Sequence, residues 1–437
     1  MKCALRALGA VGLTLAPLWA GAVAPTTHAA STQTLTVVID GGNLVDLKQN
    51  DNAQTKKTSY PAYLAAQFTK QLYQTFEKTH PGYTIQPITT WGWSDQLRQH
   101  ILLSVASGSA PDVIVGEDFI PEFVRDGILA PLPLGDERQT IVPGPLNPGM
   151  AHGQVYAVPN VTGTFALFYN KALFRRAGLD PNKPPTTWDQ WLTDSKKIGA
   201  LGHGISGTAI EGNTQLGATF RLAPFMRQLS GDFTSADGST ITFNSPANLK
   251  ALTFLRQLTA TSAPGLSALT DEGKFFNYWW TGKVGFVVDG PWEVASSQAN
   301  NLSFGVAALP LPAGGHPANV VVGNKLWAVP RLAKHQQAAI DFIKLLVSYQ
   351  EQKINPGVLA TNKTVLNGVI AHNTGGLGTF ATQLKGANVA PLPTYTANPA
   401  KVWDEWYNVQ TAALATNSSI SAALATAQSN AQALLQQ

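Results

Sequence analysis

The stretch Gly153–Leu192, GQVYAVPNVTGTFALFYNKALFRRAGLDPNKPPTTWDQWL, constrains the fold of this chain more than any other. Val155–Val158 reads as a strand and Phe165–Tyr169 as a second, buried one, because both are rich in β-branched or aromatic residues. Asn160–Thr164 between them is small and polar, so two buried strands are joined by a pliable connector. Asn170-Lys171 turns the chain into a short helix that Gly178 stops as a left-handed residue. Pro184–Thr187 is rigid and extended, and Thr187 caps a helix that opens at Trp188.

Four pieces of this stretch, Tyr156–Pro159, Phe168–Phe174, Ala177–Leu179 and Pro185–Trp188, come in order at short spacing. They resemble the hinge region of the extracellular solute-binding proteins that feed sugars to ATP-binding-cassette importers, the maltose-binding protein group of family 1. The resemblance implies an α/β, two-lobed periplasmic-binding-protein fold. Each lobe is then a mostly parallel sheet flanked by helices, and three hinge crossings join the lobes.

The residues support two cores independently, since about 400 residues exceed one ordinary domain. Thr34–Asp40, the amphipathic Tyr60–Thr79 and Tyr83–Thr90 form a strand–helix–strand unit, with apolar residues spaced by four at Tyr60, Leu64, Phe68, Leu72 and Phe76. Ser94–Ala106 is the next helix, and Val113–Val115 a third strand that ends at Gly116-Glu117-Asp118. Beyond the hinge, Gly202–Gln215 reads as a Gly- and Asn-rich loop. Val284–Val288 is a strand running into Asp289-Gly290-Pro291-Trp292. Pro310–Gly315 breaks the order and reads as the second crossing, and Asn355–Gly357 as the third. The expected division is 32–157 with 313–357 for the first lobe, and 160–310 with 358–437 for the second.

Residues 1–29 read as a secretion signal: Lys2 and Arg6 precede an uncharged apolar run, and Thr27-His28-Ala29 offers a cleavage site. Cleavage after Ala24 would leave Pro25 next, which is unfavourable, and the run is short and Gly/Pro-interrupted for a retained membrane anchor. Cys3, the single cysteine, lies before that run, so neither a disulfide nor a lipid anchor is expected in the mature protein, and the location is periplasmic or extracytoplasmic. Loss of Lys2 and Arg6 takes the net charge from +4 to +2. With no basic cluster, nucleic acid is not an expected partner.

Motifs for catalysis are missing: no Gly-x-Ser-x-Gly elbow, no His-Glu-x-x-His, no phosphate-binding loop. Glu117-Asp118, Asp271-Glu272 and Asp404-Glu405 could in principle serve a glycosidase, but that chemistry needs two acids facing across a bond, which sequence neighbours rarely provide. A secreted carbohydrate-active enzyme is thus the alternative, not the expectation, and neither a cofactor nor a metal is expected.

Tryptophan is abundant, with ten beyond the signal segment. An indole covers the C–H face of a pyranose while carboxylates and amides take its hydroxyl rim. Trp188, Trp279, Trp280 and Trp327 read as packing residues, and Trp91 as either packing or contact. Gly290-Pro291 fixes the backbone so that Trp292 can project from a strand end. The resemblance implies that Trp292 stacks on sugar, that Trp406 in Glu405–Gln410 is a second stacking residue, and that Asp118, or Glu117 in its place, is the acidic contact. Gln410 stands where the family motif has an arginine. Asp40 and Asn43 match the family's first contact loop in position only, for the lysine found there in maltose-binding protein is missing. Asn213, Gln215 and Asn324 are further candidates, each equally able to satisfy its own loop. The resemblance implies a monomer that captures a mono- or oligosaccharide and delivers it to membrane permease subunits. A non-sugar solute such as glycerol phosphate is the other alternative.

Overall fold

A computed structural model describes residues 32–40, 44–58, 60–92, 94–348, 352, 359–386, 389–393, 398–416 and 418–436. Residues 1–29, read as a secretion signal, Asn43 and the expected third crossing at 355–357 lie outside them.

The first lobe is built on β1 (Gln33–Val38), β2 (Tyr83–Ile88), β3 (Ile114–Gly116), β4 (Ala157–Pro159) and a strand from much later in the chain, Leu326–Ala328. β1 pairs in parallel with β2 and touches the approach to β3 through Val37 and Val113, while Leu326–Ala328 lies antiparallel between β3 and β4. Side chains alternate across this sheet. Val37, Val115, Val158 and Trp327 face the core that holds Phe68, Leu72 and Phe76 of helix Tyr60–Thr79 and the buried face of helix Gln336–Val347. Val38, Ile114, Ala157 and Leu326 face the opposite core, with Leu97 and Ile101 of helix Ser94–Ala106. A period of two feeding two cores is what a sheet covered by helices on both faces demands.

The second lobe holds β5 (Val161–Thr162) at its entrance and a sheet of β6 (Ala166–Asn170), β7 (Ser206–Thr208), β8 (Val284–Asp289) and β9 (Phe304–Ala307), in the order β9-β6-β8-β7. β8 is parallel to β7, and β6 is antiparallel to both β8 and β9. In each lobe the strand that runs against its neighbours is the one that has just come across from the other lobe. The segment Gly202–Gln215 therefore hides a strand where the sequence suggested only loop. Ser206-Gly207-Thr208 carries no large apolar residue because Gly207 sits against helix Trp188–Gly199, where an added Cβ would lie 2.0 Å from the Ser195 carbonyl oxygen.

Local signals elsewhere have the predicted form. Asn170 caps the helix Lys171–Arg176, Gly178 has φ +70°, and the Thr187 hydroxyl accepts from the Gln190 N–H. Ser245 caps the helix Pro246–Thr259.

The crossings lie side by side. β5 pairs antiparallel with β10 (Leu359–Ala360), Val322 N–H donates to the Gly163 carbonyl, Lys325 N–H to Val161, and Asn160 N–H to Lys325. The second crossing is not at Pro310–Gly315. That segment stays with the second lobe, since Trp188 N–H and indole N–H donate to the carbonyls of Leu311 and Pro310, and His316 N–H donates to that of Gln228. Asn319-Val320 still pairs with Val389-Ala390 of that lobe, and only at Val321–Lys325 does the chain pass over. The Pro-Gly composition of 310–315 encodes a tight turn, Gly315 packing on Pro312, rather than a hinge.

Candidate functional site

Acidic residues gather at the carboxyl ends of the strands: Asp40 beyond β1, Glu117-Asp118 after β3, Glu211 beyond β7 and Asp289 closing β8. The second crossing runs between the two sets. Lys325 Nζ lies 2.7 Å from Asp40 Oδ2, both side chains nearly buried, and the Asn324 N–H donates to Glu117 Oε1 at 3.1 Å. Burial opposes the Lys325 charge, but the carboxylates of Asp40, Glu117 and Asp118 outweigh it and hold the ammonium above its ordinary range. Burial pushes the Glu117 carboxyl up, against the pull of Lys325 and the Asn324 N–H.

Two residues before Lys325, Gly323 carries the other side of the site. An added Cβ there would lie 3.1 Å from the ring of Trp292, and one on Gly163 of the first crossing would lie 2.8 Å from Pro291. The turn Gly290-Pro291-Trp292 thus rests on two crossings at once, and Gly323, at φ +61°, adopts a conformation that suits glycine. Trp292 opens helix Trp292–Ala299 and is 36% exposed, while its indole N–H donates to Asp289 Oδ2 at 3.2 Å and its ring meets Phe165 edge-on at 6.2 Å.

Beneath Trp292 sits Arg221, from helix Leu216–Arg227, nearly buried and paired with Glu211 at 2.7 Å, Glu272 at 2.6 Å and Asp289 at 2.8 Å. Its guanidinium also lies over the rings of Phe165 and Phe276. One cation among three acids leaves the carboxylates incompletely compensated. Burial pushes Glu211 up to about 7, Arg221 offsetting part of the rise. Burial also raises Asp289, against Arg221, and raises Glu293, with the Asp289 charge adding to it.

The predicted residues separate into two groups. Asp40, Glu117, Gly290 and Trp292 are brought to the crossings, and exposed Asp118 follows Glu117. Trp91 is half-buried, stacked on His100 at 5.6 Å and packed against the first-lobe core. Trp406 is not at the site. It is fully buried between Phe233 and Phe243, because Val402, Trp406, Val409 and Ala413 form the apolar stripe of helix Pro399–Leu414. Gln410 is buried as well, accepting from the Thr219 hydroxyl and donating to the Gln215 carbonyl. Asn213 donates to the Ala268 carbonyl and accepts from Thr411, so both ends of its amide are engaged within the second lobe. Asn324 uses its backbone at the site, while its side chain donates to the Pro145 carbonyl.

Two residues were not foreseen. Lys325 is one. Tyr407 is the other: half-buried one position beyond Trp406, it stacks with Trp403, and burial together with the charges of Asp118 and Asp404 holds its phenol above the ordinary range.

The family model for bacterial extracellular solute-binding protein matches residues 52–353. The chain is similar to a binding protein of Brucella abortus, 26% identical over 336 residues that cover 74% of this chain and 80% of the relative. It is similar to the maltooligosaccharide ABC transporter solute-binding lipoprotein of Streptococcus pneumoniae, 24% identical over 69% of this chain and 71% of that one. In fold it is similar to the crystal structure of UgpB from Mycobacterium tuberculosis in complex with glycerophosphocholine, with a TM-score of 0.76 at 18% identity over 93% of this chain and 99% of that one.

Proposed function

The chain belongs to the bacterial extracellular solute-binding proteins, and from that premise we propose that it captures a mono- or oligosaccharide between its lobes and delivers it to the permease of an ABC importer. The observation that carries the reading is the convergence on one crossing of an exposed indole, Trp292 over Gly323, with a carboxylate cluster two residues on, Asp40 and Glu117 at Lys325 and Asn324. An indole face covers the C–H side of a sugar ring, and acids such as Asp118 accept from its hydroxyls. Tyr407 supplies a second ring from the second lobe.

The proposed division puts 32–157 and the return from Leu326 in one lobe, and Asn160–Val320 with the residues from Leu359 in the other. A solute that touches Asp118 on one side and Trp292 on the other favours the state in which the lobes are closest, so it shifts the population toward closure. The closed form is what the permease recognises.

The protein works outside the cytoplasm as a monomer, and nucleic acid is not a partner. It performs no covalent chemistry on its solute: Asp40 is engaged by Lys325, and Glu211, Glu272 and Asp289 share Arg221, which suits fixed hydrogen-bond acceptors better than a general acid facing a nucleophile. The same pairings weigh against glycerol phosphate, because a phosphate needs a cation that is not already held by acids.

A panel of neutral sugars, sugar phosphates and glycerol phosphate, read by thermal shift, tests this reading. One narrow class of neutral sugar raises the melting temperature, and the sugar is recovered intact after long incubation. Stabilisation by phosphates alone, or release of hydrolysis product, contradicts it.

A further inference from the structure

We infer that Asp289 is a positioning residue for solute binding, its carboxylate fixing the plane of the Trp292 indole at the groove; the inference rests on Trp292 being the stacking residue.

Asp289 ends β8 and is itself 1% exposed, yet it is tied to a ring that is 36% exposed. Its two oxygens face donors from three residues. Oδ1 accepts from the Gly290 N–H at 2.8 Å and from Arg221 Nη2 at 2.8 Å, and Oδ2 accepts from the Trp292 indole N–H at 3.2 Å. The ring also meets Phe165 and the backbone at Gly290 and Gly323. It lies over Gly290, where an added Cβ would stand 2.3 Å from the ring; Phe165 meets it edge-on, and Gly323 lies on the crossing side. Those contacts confine the ring but do not choose between its rotations about the Cβ–Cγ bond. A directional hydrogen bond does. Arg221 strengthens the choice, since it holds two of the groups that meet the indole: it pairs with Asp289 and lies over Phe165 at 5.5 Å.

Aspartate is the side chain this geometry requires. An asparagine of nearly the same shape has one acceptor oxygen, so its NH2 would face either the indole N–H or the Gly290 N–H and guanidinium, a donor against a donor. An indole that arrives pre-oriented spares the solute the cost of ordering it on binding.

The first readout needs no ligand. In 15N spectra of the full chain, the Trp292 indole resonance is identified by its loss in Trp292→Phe. Asp289→Asn is expected to shift or broaden that resonance and leave the buried indoles Trp188, Trp191 and Trp327 in place. Asp289→Glu, which keeps the charge that pairs with Arg221 but moves the acceptor by one methylene, is the second variant should Asp289→Asn fail to fold, and it is expected to move the same signal. An unmoved Trp292 resonance overturns the inference, as does a displacement of all the indole signals together, which marks a merely structural role. The second readout is affinity for maltotriose by calorimetry. Asp289→Asn weakens it about tenfold in the native background and not in Trp292→Ala. If Trp292→Ala alone leaves affinity unchanged, the stacking assignment fails; if it weakens binding and Asp289→Asn does not, only the positioning role fails.

Discussion

Lys325 Nζ stands 2.7 Å from Asp40 Oδ2, so the second crossing is pinned by an ion pair to the loop that follows the first strand. Replacing Lys325 by methionine takes the Lys325 charge away from the Asp40 carboxylate, 2% exposed, and from Glu117, whose burial it partly offsets. Lys325→Met is expected to destabilise the protein by about 3–5 kcal/mol in urea unfolding, and a companion Asp40→Asn to recover part of the loss. Equal stabilities of Lys325→Met and the native protein would show that the pair contributes nothing.

Trp406 and Trp292 are expected to behave in opposite ways. Trp406→Ala empties a fully buried site between Phe233 and Phe243 and is expected to cost about 3–5 kcal/mol of stability. Trp406→Phe keeps most of that packing and is expected to leave sugar affinity unchanged in calorimetry. A Trp406→Phe protein that is stable but does not bind would return Trp406 to the site.

Asp118 is exposed and Tyr407 half-buried, and the proposed division puts them on opposite lobes. Asp118→Asn and Tyr407→Phe are expected to weaken sugar binding roughly tenfold each, with melting temperature changed by no more than about 2 °C. A double-mutant cycle between them gives a coupling only when sugar is bound, if one solute spans both. Independent effects with and without sugar contradict the shared contact.

Buried carboxyls set the pH dependence. Glu211 is raised from 4.5 to about 7 by burial, so between those values the folded protein holds a proton that the unfolded chain has released. Its contribution is fully present below about pH 4.5 and is lost as pH rises through about 7, the sign being that of a group whose folded pKa lies above its unfolded one. The loss is at most roughly 3 kcal/mol, and the raised carboxyls of Asp289 and Glu293 act in the same direction. Calorimetric scans are expected to give a higher melting temperature at pH 5 than at pH 8, with a flatter profile in Glu211→Gln. A melting temperature that climbs from pH 5 to pH 8 contradicts this.

Much of the arrangement was readable from local chemistry. The connector Asn160–Thr164, the cap at Thr187, the glycine at 178 and the projecting turn before Trp292 are short-range signals, each fixed by residues within a few positions. The misses are of two physical kinds. Ser206-Gly207-Thr208 is a strand chosen by what it packs against, a close helix at Ser195, and not by its own propensity. Lys325 meets Asp40 only once both sheets exist, and no local pattern announces that meeting. Trp406 is different, because its signal was present: Val402, Trp406, Val409 and Ala413 recur at helical spacing, which buries Trp406 and turns Tyr407 outward.

The central claim is that a sugar is held against the Trp292 ring while the lobes close over it. Its most direct test is the thermal shift produced by the sugar panel in the native protein and in Trp292→Ala, which removes a ring that is 36% exposed. The expected result is that the sugar that stabilises the native chain binds the variant at least about 30-fold more weakly and no longer raises its melting temperature at the same concentration. An identical shift in the two proteins would contradict the account.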